Sequence, residues 1–139
     1  MDMTKVLSEL NVDDVVRYAH DMFNFDLFDF QKNILRDICA GKNVRTARGI
    51  GRTRLIYLLA FYCANKYRDL SLMIHIAKKL EYNNYDTQPD AVYPYDYCIK
   101  TGLGTLELYE DMKALLPKEA FAREFECKGS EGVSNGQPI

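Results

Sequence analysis

The segment Ala47-Arg48-Gly49-Ile50-Gly51-Arg52-Thr53-Arg54, followed by the apolar run Leu55 to Ala64, restricts what this chain can fold into more than any other stretch. Two glycines one residue apart, then a cation, a threonine and an uninterrupted helical run are the order expected where a tight loop feeds a helix N-terminus. Such a loop lets backbone N–H groups approach phosphates, with a side-chain cation for the terminal phosphates and a hydroxyl for magnesium. Here Arg52 stands where the phosphate-loop motif has lysine, and Thr46 where it has its first glycine. The helix that follows, from Thr53 to about Lys66, is apolar on nearly every side, so both of its faces need cover.

Upstream, Phe28-Asp29-Phe30-Gln31 opens an amphipathic helix whose stripe runs through Ile34, Leu35, Ile38 and Cys39 and stops at Gly41. Asn43 to Thr46 reads as the short strand that delivers the chain to the glycine loop. In this order, over residues 25–67, the chain resembles the start of the ATPase domain of phage terminase large subunits and related helicase-type motors. The resemblance implies that Gln31 reads adenine and that Arg48, Gly49, Gly51, Arg52 and Thr53 hold the triphosphate, with ATP and magnesium as the implied ligands. A weaker similarity, at Leu116-Pro117-Lys118-Glu119-Ala120-Phe121-Ala122-Arg123-Glu124-Phe125, is to the stretch leaving the terminase ATPase core. Two departures stand against turnover. Arginine is a planar fork rather than a compact point charge, and no apolar strand ending in Asp-Glu is present to hold magnesium and orient water. No catalytic residue is assigned.

The net charge of −2 conceals an asymmetry. Between Gln31 and Arg68 stand nine basic residues against the single acid Asp37, which leaves the rest of the chain strongly acidic. A basic segment of this density suggests either a polyanion site, with Lys42, Arg45, Arg48 and Arg54 as its candidate contacts, or a patch paired internally. Four cysteines, Cys39, Cys63, Cys98 and Cys127, are widely spaced with no Cys-x-x-Cys pair. They signal neither a zinc site nor a disulfide framework, and no metal ligands are assigned. No basic-then-apolar leader opens the chain, and its longest apolar run is too short to span a membrane. A cytoplasmic protein with reduced thiols is expected.

The remaining elements are read in order. Asn11 caps a helix whose apolar positions are Val12, Val15, Val16, Ala19 and Phe23. His20 reads as a surface residue. Ser71 to Ala77 is read as a buried strand containing a packed His75, with a helix as the alternative. Residues 81–104, rich in tyrosine, Asn, Asp and Pro, read as a long loop. Tyr82, Tyr85, Tyr93, Tyr95 and Tyr97 within it are candidate partner contacts, because tyrosine offers a large rigid surface and a hydroxyl. Thr105 caps a helix with Leu108, Met112, Leu115 and Leu116 facing inward and Pro117 ending it, and a last helical turn or two covers Lys118 to Glu126.

The fold expected is helix-rich α/β, a small degenerate P-loop-like domain with at most a short sheet, or else mostly α. Residues 1–127 are expected to form a single domain and 128–139 a disordered tail. Two functions follow: a catalytically impaired, phage-type derivative of a motor domain that binds or inhibits a protein or nucleic-acid partner, or an ATP-binding fragment completed by another chain.

Overall fold

The structure is a computed structural model and describes residues 2–129. It is helix-rich, with one short sheet of two parallel strands. The chain gathers into two compact units, Met1–Asn43 with Gly51–Asn83, and Val44–Ile50 with the segment from Asn84 onward.

The first unit is helical: α1 (Met3–Ser8), α2 (Val12–Phe23), α3 (Asp29–Cys39), α4 (Arg52–Tyr67) and α5 (Ser71–Leu80). Asn11 starts α2 by accepting a hydrogen bond from the Asp13 N–H, and Asn24 closes it in the left-handed conformation. The expected stripe of α3 is buried at Phe30, Ile34, Leu35, Ile38 and Cys39. α4 is buried at Leu55, Ile56, Leu58, Leu59, Ala60, Cys63 and Ala64. It packs against α5 and α2, but the expectation that both its faces are covered is corrected: Thr53, Arg54, Tyr57, Phe61, Asn65 and Lys66 are exposed. Each large aliphatic side chain enclosed here, such as Ile34, Leu55 or Leu59, contributes roughly 1.5–3 kcal/mol relative to exposure.

Three further expectations in this unit are corrected. Ser71 to Ala77 is helical, not extended. Leu72 and Ile76, four apart, are buried while Ile74 between them is exposed, which is a helical period. Asp69 fixes the start, its carboxylate accepting from the Ser71 N–H at 3.0 Å and the Ser71 hydroxyl at 2.6 Å. The same helix carries His75 to the surface rather than into the core. Phe23, the last member of the α2 stripe, is 52% exposed.

The second unit holds β1 (Val44–Thr46), β2 (Ala91–Tyr93), α6 (Asp96–Thr101), α7 (Leu106–Leu115) and α8 (Lys118–Glu126). The strands pair in parallel with Val44 opposite Ala91 and Thr46 opposite Tyr93. A parallel pair needs a long crossover, and the chain between the strands includes α4 and α5. Residues 81–104 are therefore not one loop, since β2 and α6 lie within them. Tyr95, Tyr109, Phe121 and Phe125 form an aromatic cluster with ring centroids 5.1–6.5 Å apart. α7 departs from expectation: it buries no residue, and Leu108 and Leu115 are exposed.

The four cysteines are buried and none is in a disulfide. Burial pushes the Cys39 thiol up to about 12 and those of Cys63 and Cys98 up to about 11. These three thiols are protonated near neutrality and pack as apolar groups. Among the described residues no group of His, Cys, Asp and Glu could hold a metal ion, and no helix is long and apolar enough to cross a membrane. All but Lys128 and Gly129 of the expected tail lies outside the described residues.

Candidate binding site around the glycine loop and helix α4

β1 ends at Thr46, and the next four residues make a tight turn in which the Ile50 N–H reaches the Ala47 carbonyl at 3.4 Å. Gly49 sits at the third position of that turn with φ +86°, and a Cβ there would lie 3.4 Å from the Tyr95 ring. Positive φ and the neighbouring ring both favour glycine. Gly51 is the N-cap of α4 with φ +92°, and a Cβ on it would lie 3.3 Å from Gln31 Nε2. Both glycines of the motif thus have local structural reasons to be there.

Arg52, the cation of the motif, is half-buried and turned to its own unit. Its Nε donates to the Leu80 carbonyl at 2.9 Å, its Nη1 to Asn83 Oδ1 at 3.0 Å and its Nη2 to the Tyr82 carbonyl at 3.4 Å. Leu80 is the last residue of α5, so the guanidinium neutralises carbonyls at a helix C-terminus, where a positive charge is favoured. Gln31 is also engaged. It is buried, and its side-chain carbonyl accepts from the Phe28 N–H at 3.0 Å at the start of α3. Thr53 is exposed in the first turn of α4, which has no side-chain cap and no acid.

The four candidate polyanion contacts are not equivalent. Arg45 is 1% exposed. Its Nη2 donates to the Thr87 carbonyl at 2.9 Å and its Nη1 to the Cys127 carbonyl at 3.5 Å, while its guanidinium lies 4.9 Å from the Tyr85 ring centroid. Cys127 is the C-cap of α8, so this arginine too serves a helix end and is closed to a polyanion in this arrangement. Lys42 is exposed and ion-paired with Asp37 at 3.3 Å. Arg48 is exposed, with its backbone N–H donating to the Glu124 carbonyl at 2.6 Å. Arg54 is exposed and stands 5.2 Å from the Phe25 ring centroid. No protein family, curated protein or solved structure matches this chain.

The tyrosine segment divides in the same way. Tyr93 and Tyr95 are buried, and Tyr95 lies in the aromatic cluster. Tyr85 and Tyr97 are partly covered, the Tyr85 hydroxyl donating to the Arg123 carbonyl at 3.0 Å. Only Tyr82 of the five is exposed, at 77%. The expectation of a five-tyrosine surface is therefore corrected to one exposed ring and two partly covered ones.

Sequence reasoning overlooked the surface beside Arg54. Phe23, Phe25, Tyr57, Leu58 and Phe61 join Arg54 around a cleft of about 440 Å³ at the C-terminal end of α2 and along α4. The signal available was the spacing of Arg54, Tyr57 and Phe61, three and four apart on one helix face. It was hidden because every turn of α4 also carries core residues.

Proposed function

We propose that this chain is a binding protein: a phage-type derivative of a terminase or helicase ATPase domain that has lost turnover and engages a macromolecular partner, as an inhibitor or adaptor. The observation that carries the reading is the engagement of Arg52. A phosphate-loop cation has to present its donors to the terminal phosphates, whereas this guanidinium donates to Leu80, Tyr82 and Asn83. The involvement of Gln31 in starting α3 points the same way for adenine recognition. Arg48, Arg54 and Tyr82 remain exposed and are the members of the basic loop and tyrosine segment open to a partner.

A second reading, an ATP-binding motor fragment completed by another chain, draws on one observation. Gly51 leaves the first turn of α4 uncapped by any side chain, with Thr53 exposed beside it. Calorimetric titration of the purified protein with magnesium-ATP tests the pair. The binding-protein reading expects no saturable heat up to roughly millimolar nucleotide, about 4 kcal/mol of affinity. Saturable binding that disappears in Thr53→Ala would favour the motor fragment instead.

A further inference from the structure

We propose that the cleft between the C-terminal end of α2 and α4 is a docking site for an acidic protein segment, one that seats a bulky apolar side chain against Tyr57 and Phe61 and sets a carboxylate on Arg54. The inference rests on the binding-protein reading and adds to it a site and a chemical class of partner.

The cleft lies wholly within the first unit and has a built floor and walls. Leu58 is buried at its base, while Phe23, Phe25, Tyr57 and Phe61 surround it. Its volume of about 440 Å³ falls within the range of sites that enclose a compact ligand group. Phe23 and Phe61 are in ring contact at 6.2 Å, and the neighbouring Met22 is exposed as well, so the apolar surface continues beyond the rim. Exposed aromatic, Met and Arg side chains gathered in one place are the composition of interface centres rather than of ordinary solvated surface.

Charge selects the partner. From Arg52 to Arg68 there is no acidic residue. The exposed side chains of α4 are Thr53, Arg54, Tyr57, Phe61, Asn65 and Lys66, two cations, two aromatic rings and two neutral polar groups with no acid among them. No carboxylate among the described residues pairs with Arg54, whose guanidinium instead rests by Phe25. At the other end of the helix Arg68 and Asn65 line a second hollow. The sixteen residues of α4 span about 24 Å, enough for an extended or helical segment to run along them.

At the C-terminal end of α2 two acids neighbour the cleft in the chain: Asp21, two residues before Phe23, and Asp26, directly after Phe25. Asp26 is exposed and paired with His20 at 2.7 Å. A nucleic acid strand has evenly spaced charge and would meet repulsion beside Asp21 and Asp26, even though its bases could stack on Tyr57 and Phe61. A protein segment can place its carboxylates over α4 alone and its apolar side chain in the cleft. That asymmetry favours an acidic amphipathic peptide over a polyanion.

The test is fluorescence anisotropy with a labelled library of acidic peptides of about 14 residues, long enough to follow α4, with each aromatic and aliphatic residue placed at the central positions. A lysine-for-glutamate version of the library and a labelled oligothymidylate of similar length accompany it. Saturable binding of acidic members is expected, weakened at least about tenfold by Arg54→Glu and by Tyr57→Ala, with the lysine version inert. Both residues are exposed, and unchanged thermal melts establish that the variants fold. Acidic peptides that bind with undiminished affinity to both variants but lose it in Arg48→Glu or Tyr82→Ala would overturn the cleft while leaving the binding-protein reading intact. Oligothymidylate binding lost in Arg54→Glu, with the peptides inert, would replace the peptide by nucleic acid. No binding by any library member up to about 1 mM would overturn the proposal outright.

Discussion

Replacing Arg45 by leucine is expected to destabilise the second unit by roughly 2–4 kcal/mol, the range for losing hydrogen bonds to a charged group and a desolvated cation–π contact together. The side chain is almost fully enclosed. Without it the Cys127 carbonyl at the end of α8 loses a donor, as does the Thr87 carbonyl in the segment before β2. The Tyr85 ring, which also lies 5.9 Å from the Arg123 guanidinium, loses its nearer cation. Arg45→Lys keeps the charge and loses the planar fork, so it should recover only part of the difference. Urea unfolding followed by tyrosine fluorescence reads both. If Arg45→Leu melts with the parent, the residue is not a brace and its burial has another cause.

The second large effect is expected at Gly104. A Cβ there would collide with the Tyr95 hydroxyl, stand 2.7 Å from Tyr95 Cζ and 3.2 Å from Cys98 Cβ. Tyr95 cannot swing clear easily. Its ring is 2% exposed, packs edge-on to Phe125 at 5.2 Å and lies beside Tyr109 at 6.0 Å. Its N–H is held by the Phe125 carbonyl at 2.9 Å. Overpacking of this kind costs about 1–3 kcal/mol and sometimes more, and Gly104→Ala should fall at the upper end. Tyr95→Phe removes the nearest atom, so the double variant should regain part of the loss. A single variant with full stability, or a double variant with no rescue, would contradict this packing.

Much of the helical framework was legible because it rests on local signals. The Asn11 cap, the α3 stripe from Phe30 to Cys39, and the apolar run that makes α4 a helix are each contained in a dozen or so residues. The site was harder to read because its side chains are committed by distant partners. Arg45 and Arg48 look alike in the sequence, yet Arg45 is withdrawn by carbonyls 42 and 82 residues away. Arg52 is engaged by acceptors about 30 residues on, which its motif position does not announce. Ser71 to Ala77 was ambiguous because a short apolar run fits either period, and only its packing on α4 decides. Phe23 belongs to the α2 stripe by spacing, but the left-handed turn at Asn24 ends the helix there and leaves the ring at the cleft.

The measurement that bears most directly on the whole account is the Arg52→Lys variant, which restores the lysine of the phosphate-loop motif. It should be followed by equilibrium unfolding and by calorimetric titration with magnesium-ATP. If Arg52 braces the end of α5, lysine cannot reproduce a fork that reaches Leu80, Tyr82 and Asn83 together. Stability should then drop by about 1 kcal/mol or somewhat more, with no nucleotide binding gained. A variant as stable as the parent that acquires saturable magnesium-ATP binding would show instead that the loop is a phosphate cradle awaiting its lysine, and would contradict the account.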